Sequence, residues 1–151
     1  KQGDHNSYKS NDYINSIKWS DKERFIDVFK YNKGLIEIRK NLPHFKIKDP
    51  KIIKSNATFI FGGNNESCGV LLQHINLNDF GKGEVLVIYN GTNIENYNVT
   101  SYAPLAQNGY WNIIANESTA GMKVLNTIYN NQIPALRAFS IMILCSNLNL
   151  N

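Results

Sequence analysis

The hydrophobic pattern of this sequence changes its period once, and that change limits the possible fold more than any other feature. Between residues 21 and 41, apolar side chains recur at steps of three and four, which is typical of an amphipathic helix. From residue 58 to residue 145 they form short runs instead, with turn-forming residues about every ten positions. The pattern therefore predicts a mainly β protein, in which a loop and one amphipathic α-helix precede an antiparallel β-sandwich.

The strands are predicted from runs rich in β-branched and aromatic residues that end at turn-forming residues. The predicted strands are Thr58–Phe61, Val70–His74, Glu84–Tyr89, Tyr97–Tyr102, Tyr110–Ala115, Lys123–Ile128 and Ser140–Cys145. A change in composition near Asp49 and Pro50 marks the boundary before them. We therefore divide the chain into residues 1–50 and a β-domain of residues 51–151.

Residues 21–41 carry signals for both ends of the helix. Ser20 and Glu23 have the spacing of a capping box, and Pro43 disfavours helix at the residue before it. One stripe of the helix is apolar and includes Phe25, Val28, Phe29, Leu35 and Ile36. Because such a stripe is unfavourable in water, we expect it to pack on the β-domain or to cause self-association with a second copy.

Charge is distributed unevenly along the 151 residues, whose formal net charge is +4. Residues 1–54 hold 13 Lys and Arg against 7 Asp and Glu, a balance of +6, and residues 55–151 hold 3 against 5, a balance of −2. Because the basic residues are mixed with acidic ones and form no recognisable motif, they indicate a solvated helix face and linker, with no nucleic-acid partner. No apolar run approaches the ~20 residues that span a bilayer, so no membrane partner is expected.

The sequence shows no recognisable set of catalytic or metal-ligating residues. His5, His44 and His74 lack the spacing of a zinc site, and Gly62-Gly63 lacks the Lys and Ser/Thr of a phosphate-binding loop. We therefore predict no metal site, no cofactor and no catalytic residue within this chain.

The cysteines and some aromatic residues leave alternatives open. Cys68 and Cys145 fall in predicted strand regions, where packed free thiols are the default, but a bridge between them stays open. Tyr102, Tyr110 and Trp111 could form a face that stacks on sugars. In a β-sandwich such residues are more often half-buried strand residues.

The N-terminal part of the sequence holds a distinctive set of motif residues. They are Asn6-Ser7-Tyr8, Asp12, Asn15 and Trp19, followed by Tyr31, Gly34, Leu35, Ile36, Arg39, Lys40, Pro43 and Phe45. With these residues the chain resembles the end of the catalytic barrel of the type I pullulanases, α-1,6-debranching members of the α-amylase superfamily of glycoside hydrolases. Val85–Asn90 and Ser140–Leu144 resemble strands of the family's C-terminal domain, so the resemblance covers essentially the whole chain. Departures from the family pattern include Asn11, where Pro is usual, and Ile38, where Leu is commoner.

The resemblance implies a retaining glycosidase with a (β/α)₈ barrel that cleaves α-1,6 links in pullulan, starch or glycogen-like α-glucans. Its catalytic carboxylates precede the stretch that this chain matches. Retaining hydrolysis needs two carboxyl groups ~5–5.5 Å apart on rigid elements, whereas Asp4 and Asp12 share one loop. We therefore expect a segment of a longer enzyme, inactive by itself, whose partners are an α-glucan and the missing catalytic barrel.

In this interpretation, residues 1–50 are the loop after the eighth barrel strand and the eighth helix. The loop would lie over the catalytic face, so Asp12 and Asn15 are predicted to bind glucose hydroxyls, with Tyr8 as a further substrate-binding candidate. The alternative is that Asp12 and Asn15 only fold the loop, as Asx residues often do.

A second class of function also stays open. Residues 51–151 could be a free-standing carbohydrate-binding or interaction module. Carboxylates encoded upstream in the same gene would distinguish the two classes. The sequence does not identify the compartment. It slightly favours the cytoplasm, and it is also compatible with an extracellular parent enzyme.

Overall fold

The computed structural model of the protein describes residues 3–62 and 69–147. Helical elements dominate its N-terminal third, and none of the described helices is long and apolar enough to cross a membrane. In chain order these elements are a 3₁₀ turn at Ser7–Lys9, α1 (Asp12–Asn15), α2 (Asp21–Arg24), α3 (Ile26–Asn41), a 3₁₀ turn at Pro43–Lys46 and α4 (Pro50–Asn56).

The helix predicted over residues 21–41 is interrupted at Phe25. This residue has φ −115° and ψ 42°, outside the helical region, so α2 ends there and α3 begins at the next residue. Ser20 is in the helical region and its side chain makes no capping hydrogen bond, so the predicted capping box does not form. At the other end, Leu42 becomes extended before Pro43 and stops α3 as predicted.

The described strands form one six-stranded antiparallel sheet, which confirms the mainly β fold class. The sheet order is β1-β2-β3-β6-β4-β5, so β1 and β5 lie at its edges and the last strand in sequence is central. The strands are β1 (Ala57–Gly62), β2 (Val70–Asn76), β3 (Glu84–Asn90), β4 (Tyr110–Ala115), β5 (Asn126–Tyr129) and β6 (Ser140–Cys145), with a 3₁₀ turn at Asn78–Phe80 in the β2–β3 hairpin.

One predicted strand is wrong. Residues 97–102 contribute only an isolated antiparallel bridge between Tyr97 and Leu136. The chain then turns, and the backbone N–H of Ala103 donates to the Val99 carbonyl at 2.9 Å. This segment therefore covers the sheet and does not extend it.

One face of the sheet packs against the loops that follow β3 and β5. Trp111 of β4 is 1% exposed in this core, and its indole N–H donates to the Pro104 carbonyl at 3.2 Å. The loops contribute Val99, Ala103, Ala106, Ile133 and Leu136, and the strands contribute Val70, Leu72, Leu86, Ile88, Ile113, Ile128, Met142 and Leu144. These loops act as the second layer on this face.

The opposite face packs against α3. Ile38 and Leu42 are buried there against strand residues Val85, Val87, Ile114, Ala115, Ile143 and Cys145. Gly34 lets the helix approach closely, because a Cβ at this position would overlap the Ala120 carbonyl group. The Tyr31 hydroxyl donates to the Asn116 carbonyl at 2.9 Å. The helix is therefore attached to the sheet along much of its length.

The apolar stripe predicted for the helix faces mostly away from the sheet. Phe25, Val28, Phe29 and Ile36 are 50%, 60%, 44% and 55% exposed, and only Leu35 packs on the sheet-side core. Ile36 is two positions from the buried Ile38, which is about 200° of helix rotation. The expected packing of this stripe on the β-domain is therefore wrong for these four residues, and α3 is apolar on two faces.

The cysteine of β6 is a buried free thiol. Burial raises the pKa of Cys145 to about 12, so its thiol stays protonated at neutral pH. Cys68, the other cysteine of the chain, lies outside the described residues.

Candidate functional site

The predicted substrate-binding residues lie in a loop that Asn15 holds together. Its side-chain Nδ2 donates to the carbonyls of Ser7 and Ser10, at 2.8 Å each. Asp4 accepts from the backbone N–H of Asn6 at 2.8 Å and from the Ser10 hydroxyl at 3.2 Å. The Asn15 amide N–H groups are thus used to fold the loop, which leaves its Oδ1 for a ligand.

Asp12 and Tyr8 present their polar groups to solvent. Asp12 is the exposed first residue of α1, and its carboxylate has no hydrogen bond or ion pair within the described ranges. Tyr8 is 86% exposed. Because Asn15 ties the turn carrying Tyr8 to the helix carrying Asp12, the loop offers a free carboxylate and a free phenol on a common scaffold. Both groups can hydrogen-bond to a polyhydroxylated ligand.

The loop alone does not provide the carboxyl pair of a glycosidase. Asp4 is engaged by Asn6 and Ser10, and Asp12 begins the exposed four-residue α1, so neither carboxylate is held on a strand or a long helix. In the described part of the chain, no group of three or more His, Cys, Asp or Glu side chains could hold a metal ion. The arrangement is suited to contact with a ligand.

The aromatic residues considered for a sugar-stacking face do not form one surface. Trp111 is buried, and Tyr102 packs against the same core. Tyr110 instead pairs with Tyr129, with ring centroids 6.1 Å apart and planes inclined by 50°. Trp111 and Tyr102 therefore pack in the core and are not part of a sugar-stacking face.

Sequence reasoning missed a buried contact between a glutamate and a histidine at the beginning of β3. Glu84 is 2% exposed, and its Oε1 lies 3.1 Å from Nε2 of His74 on β2. Its Oε2 accepts from the backbone N–H of Gln107 at 2.8 Å, and its own N–H donates to the Ser146 hydroxyl at 2.9 Å. Because these bonds join β2, β3, the loop before β4 and the end of β6, the role of Glu84 is structural.

A second buried polar residue follows α3. His44 is 4% exposed, and its Nε2 lies 3.1 Å from the Gly83 carbonyl, which can only accept, so Nε2 carries the proton. Burial lowers the pKa of His44, and the ring is therefore neutral near pH 7. Its Nδ1 has no hydrogen-bond partner in the described part of the protein. This contact fixes the segment after α3 to the β2–β3 hairpin.

An apolar cleft of about 420 Å³ connects the loop to α3. It is lined by Ile17, Trp19 and Phe29 together with polar residues of the α1–α2 connection. Ile17 and Trp19 are 76% and 79% exposed, so they extend the outer apolar face of α3.

Comparison with known proteins finds a partial sequence similarity to one pullulanase and a structural similarity to enzymes that include another. No protein-family model matches the chain. A segment of 48 residues, 32% of the chain, is 42% identical to the pullulanase of Bacillus subtilis (strain 168), of which it covers 7%. The sequence similarity therefore concerns a limited part of both proteins.

The structural similarity extends over nearly the whole chain. The pullulanase from Bacillus acidopullulyticus matches with a TM-score of 0.73 and 26% identity, over 97% of this chain and 17% of that one. The catalytic module of the pneumococcal glycogen-degrading virulence factor SpuA has the same fold, with a TM-score of 0.72 and 22% identity over 96% of this chain and 22% of that module. The chain is thus similar in structure to part of these enzymes and spans less than a quarter of their length.

Proposed function

We propose that this chain is the C-terminal part of a pullulanase-type glycoside hydrolase that cleaves α-1,6 branch links in pullulan, starch or glycogen-like α-glucans. The observation that carries the proposal is the similarity of its loop, helix and sheet together to a pullulanase structure, over 97% of this chain but 17% of that one. In this proposal the rest of the enzyme supplies the catalytic barrel. Residues 1–50 complete that barrel and residues 51–151 form the C-terminal domain.

The two apolar faces of α3 support the presence of such a barrel. A contiguous exposed apolar surface normally marks a contact with another protein surface. The sheet covers the side of Ile38, whereas Phe29 and Ile36 remain exposed on the other side and are joined there by Trp19. In the intact enzyme we expect the barrel to cover this outer surface.

The loop is proposed to contact the glucan. The Asp12 carboxylate would accept hydrogen bonds from glucose hydroxyls, and Tyr8 would offer its ring or its hydroxyl. Asn15 would act through Oδ1 while its Nδ2 keeps the loop folded. Asn15 would thus contact the substrate through Oδ1 and hold the loop through Nδ2 at the same time.

Pullulan hydrolysis by the complete parent polypeptide, compared with the 151-residue chain, tests the proposal. We expect reducing ends from the parent and none from the short chain above a heat-denatured control, because the short chain lacks a scaffolded carboxyl pair. Activity of the short chain would refute the segment assignment. An inactive, folded parent that binds glucan would favour the carbohydrate-binding module instead.

The contribution of Asp12 can be measured in the same parent enzyme. Asp12→Ala should lower kcat/KM about ten-fold, or about 1.4 kcal/mol, if the lost hydrogen bonds tighten in the transition state. Asp79→Ala, which removes an exposed carboxylate from the β2–β3 hairpin, is the matched control. An unchanged kcat/KM with a lower melting temperature would assign Asp12 to folding of the loop.

A further inference from the structure

A groove next to the connection between α3 and α4 is not used by the proposed function. It encloses about 440 Å³, within the range of about 300–1,000 Å³ that is typical of ligand pockets. The connection and α4 form one wall, and the β2–β3 hairpin forms the other. The apolar lining residues are Pro43, Ile47, Ile52, Leu77 and Phe80.

Lysines stand on both walls of this groove. Lys46 and Lys48 belong to the wall formed by the connection, and Lys82 belongs to the hairpin wall. No lysine in the described ranges has a carboxylate oxygen within 4.0 Å of its ammonium nitrogen.

The carboxylate that lines the groove does not neutralise these lysines. Asp49 accepts a hydrogen bond from the backbone N–H of Lys51 at 2.8 Å and thereby caps α4. Lys46 donates to the Lys40 carbonyl at 2.6 Å, so it is bonded to a neutral backbone group. The groove therefore combines an apolar floor with a net positive rim, which accounts for part of the basic character of residues 1–54.

We propose that this groove binds an acidic peptide segment that inserts one large apolar side chain between the lysines. A recessed apolar floor accepts an inserted side chain, and Phe80, 52% exposed, offers an aromatic surface for it. Because Lys48 and Lys82 stand on opposite walls, carboxylates on both sides of the inserted residue would each meet a cation. An organic anion with a single charged head would match one wall only.

The surface suits a peptide better than a membrane or a nucleic acid. A membrane-binding surface inserts protruding apolar residues into the lipid, whereas this apolar surface is concave. The groove residues include no arginine, the side chain that reads bases and pairs phosphates through its planar fork. Since the charges are exposed, binding should weaken as salt rises.

Fluorescence anisotropy with the 151-residue chain tests the proposal. The probe is a short fluorescein-labelled peptide with a central phenylalanine flanked on both sides by glutamates. At low ionic strength we expect saturable binding, about ten-fold weaker for the Lys48→Glu/Lys82→Glu variant and for Phe80→Ser. Lys33→Glu/Lys123→Glu is the matched control, because it makes the same charge change at exposed sites outside the groove and should bind like the wild type.

Matched probes separate the two parts of the proposal. A peptide with glutamine in place of glutamate, and one with alanine in place of phenylalanine, should each bind at least about ten-fold more weakly. If Lys33→Glu/Lys123→Glu loses as much binding as Lys48→Glu/Lys82→Glu, or if a single-stranded oligonucleotide competes equally well, the binding is a general attraction between this basic chain and any polyanion. Either result would overturn the proposal. Absence of saturable binding while circular dichroism shows a folded chain would also overturn it. None of these results depends on hydrolysis by the parent enzyme.

Discussion

At the scale of single residues, His44 connects the stability of the fold to pH. The neutral ring donates to the Gly83 carbonyl in a nearly solvent-free position, and burial lowers its pKa. In the unfolded chain the same ring has an ordinary pKa of about 6.5. The unfolded state therefore binds more protons than the native state once the pH falls below that value.

The stability contributed by His44 should be complete above about pH 6.5 and should be lost as the pH falls further, through the lowered native pKa. Urea denaturation between about pH 7.5 and pH 5 measures this loss as a falling midpoint. His44→Asn, which keeps a donor but cannot titrate, should show a shallower pH dependence. His5→Asn, at an exposed position, is the control, and the same flattening in that variant would contradict the assignment.

At the scale of elements, the contact between α3 and the sheet depends on a missing side chain. Gly34 faces the backbone of Ala120, where a Cβ would have no room. Elsewhere in an α-helix, alanine is favoured over glycine by about 1 kcal/mol. Whether alanine at position 34 raises or lowers the free energy of unfolding therefore shows which effect is larger, the close approach or the helix propensity.

We expect Gly34→Ala to lower the free energy of unfolding by about 1–3 kcal/mol, because the helix must move away from the Ala120 backbone. Lys33→Ala, one position away and exposed, should change stability by a few tenths of a kcal/mol at most. Chemical denaturation of both variants provides the measurement. A stabilised Gly34→Ala would mean that the helix lies farther from this loop.

The outer face of α3 leads to a prediction about association. In the 151-residue chain Phe29 and Ile36 are exposed apolar residues, so concentration-dependent self-association is expected. Phe29→Lys/Ile36→Lys should shift light scattering toward the monomer with little loss of stability. Ile38→Ala, on the buried side, should instead cost about 2–5 kcal/mol. Unchanged scattering in the double variant would mean that this face does not drive association.

The sequence predicts elements better than it predicts their contacts. The runs rich in β-branched and aromatic residues identify the six described strands, because such clustering is a local property of the sequence. The segment around Val99 has the same composition, but tertiary packing turns it into a cover for the sheet. Helix α4 was not predicted, although Asp49 and Pro50 form a helix-start signal. Its seven residues are too few to show the apolar period of a helix.

The contact face of α3 could not be read from apolar periodicity, because both faces are apolar. The close approach at Gly34 selects the buried face, and it depends on a loop more than eighty residues away, at Ala120. In the candidate loop, substrate binding by Asp12 and Asn15 stays a prediction from their residue types. The use of the Asn15 amide for folding could not be predicted, because it depends on bonds to the Ser7 and Ser10 carbonyls.

At the scale of the whole molecule, α3 is the cover of a core that the sheet cannot close by itself. Val87, Ile143 and Ile114 lie on the face that α3 covers, and each is at most 5% exposed. A division of the chain at residues 49 and 50 separates these side chains from Ile38. The boundary in composition therefore falls inside a packed unit.

We expect residues 51–151 alone to bind a hydrophobic dye and to unfold with reduced cooperativity, because one face of the sheet loses its cover. Residues 20–151, which keep α3 and lack only the loop, should unfold with a sharp transition close to that of the 151-residue chain. Thermal denaturation followed by circular dichroism compares the fragments. A sharp transition and no dye binding for residues 51–151 would show that the sheet is self-sufficient.

The open edge at β1 has a consequence for handling the protein. This strand pairs with β2 on one side, and its sequence from Ala57 to Gly62 contains no charge and no proline, while Phe59 and Phe61 are 52% and 79% exposed. In the sheet of the described residues this edge has no further strand, and with these side chains it can pair with the same strand of another copy. Such edge-to-edge pairing joins two copies without loss of the native fold, and it should therefore set the upper concentration for this chain as a monomer in solution.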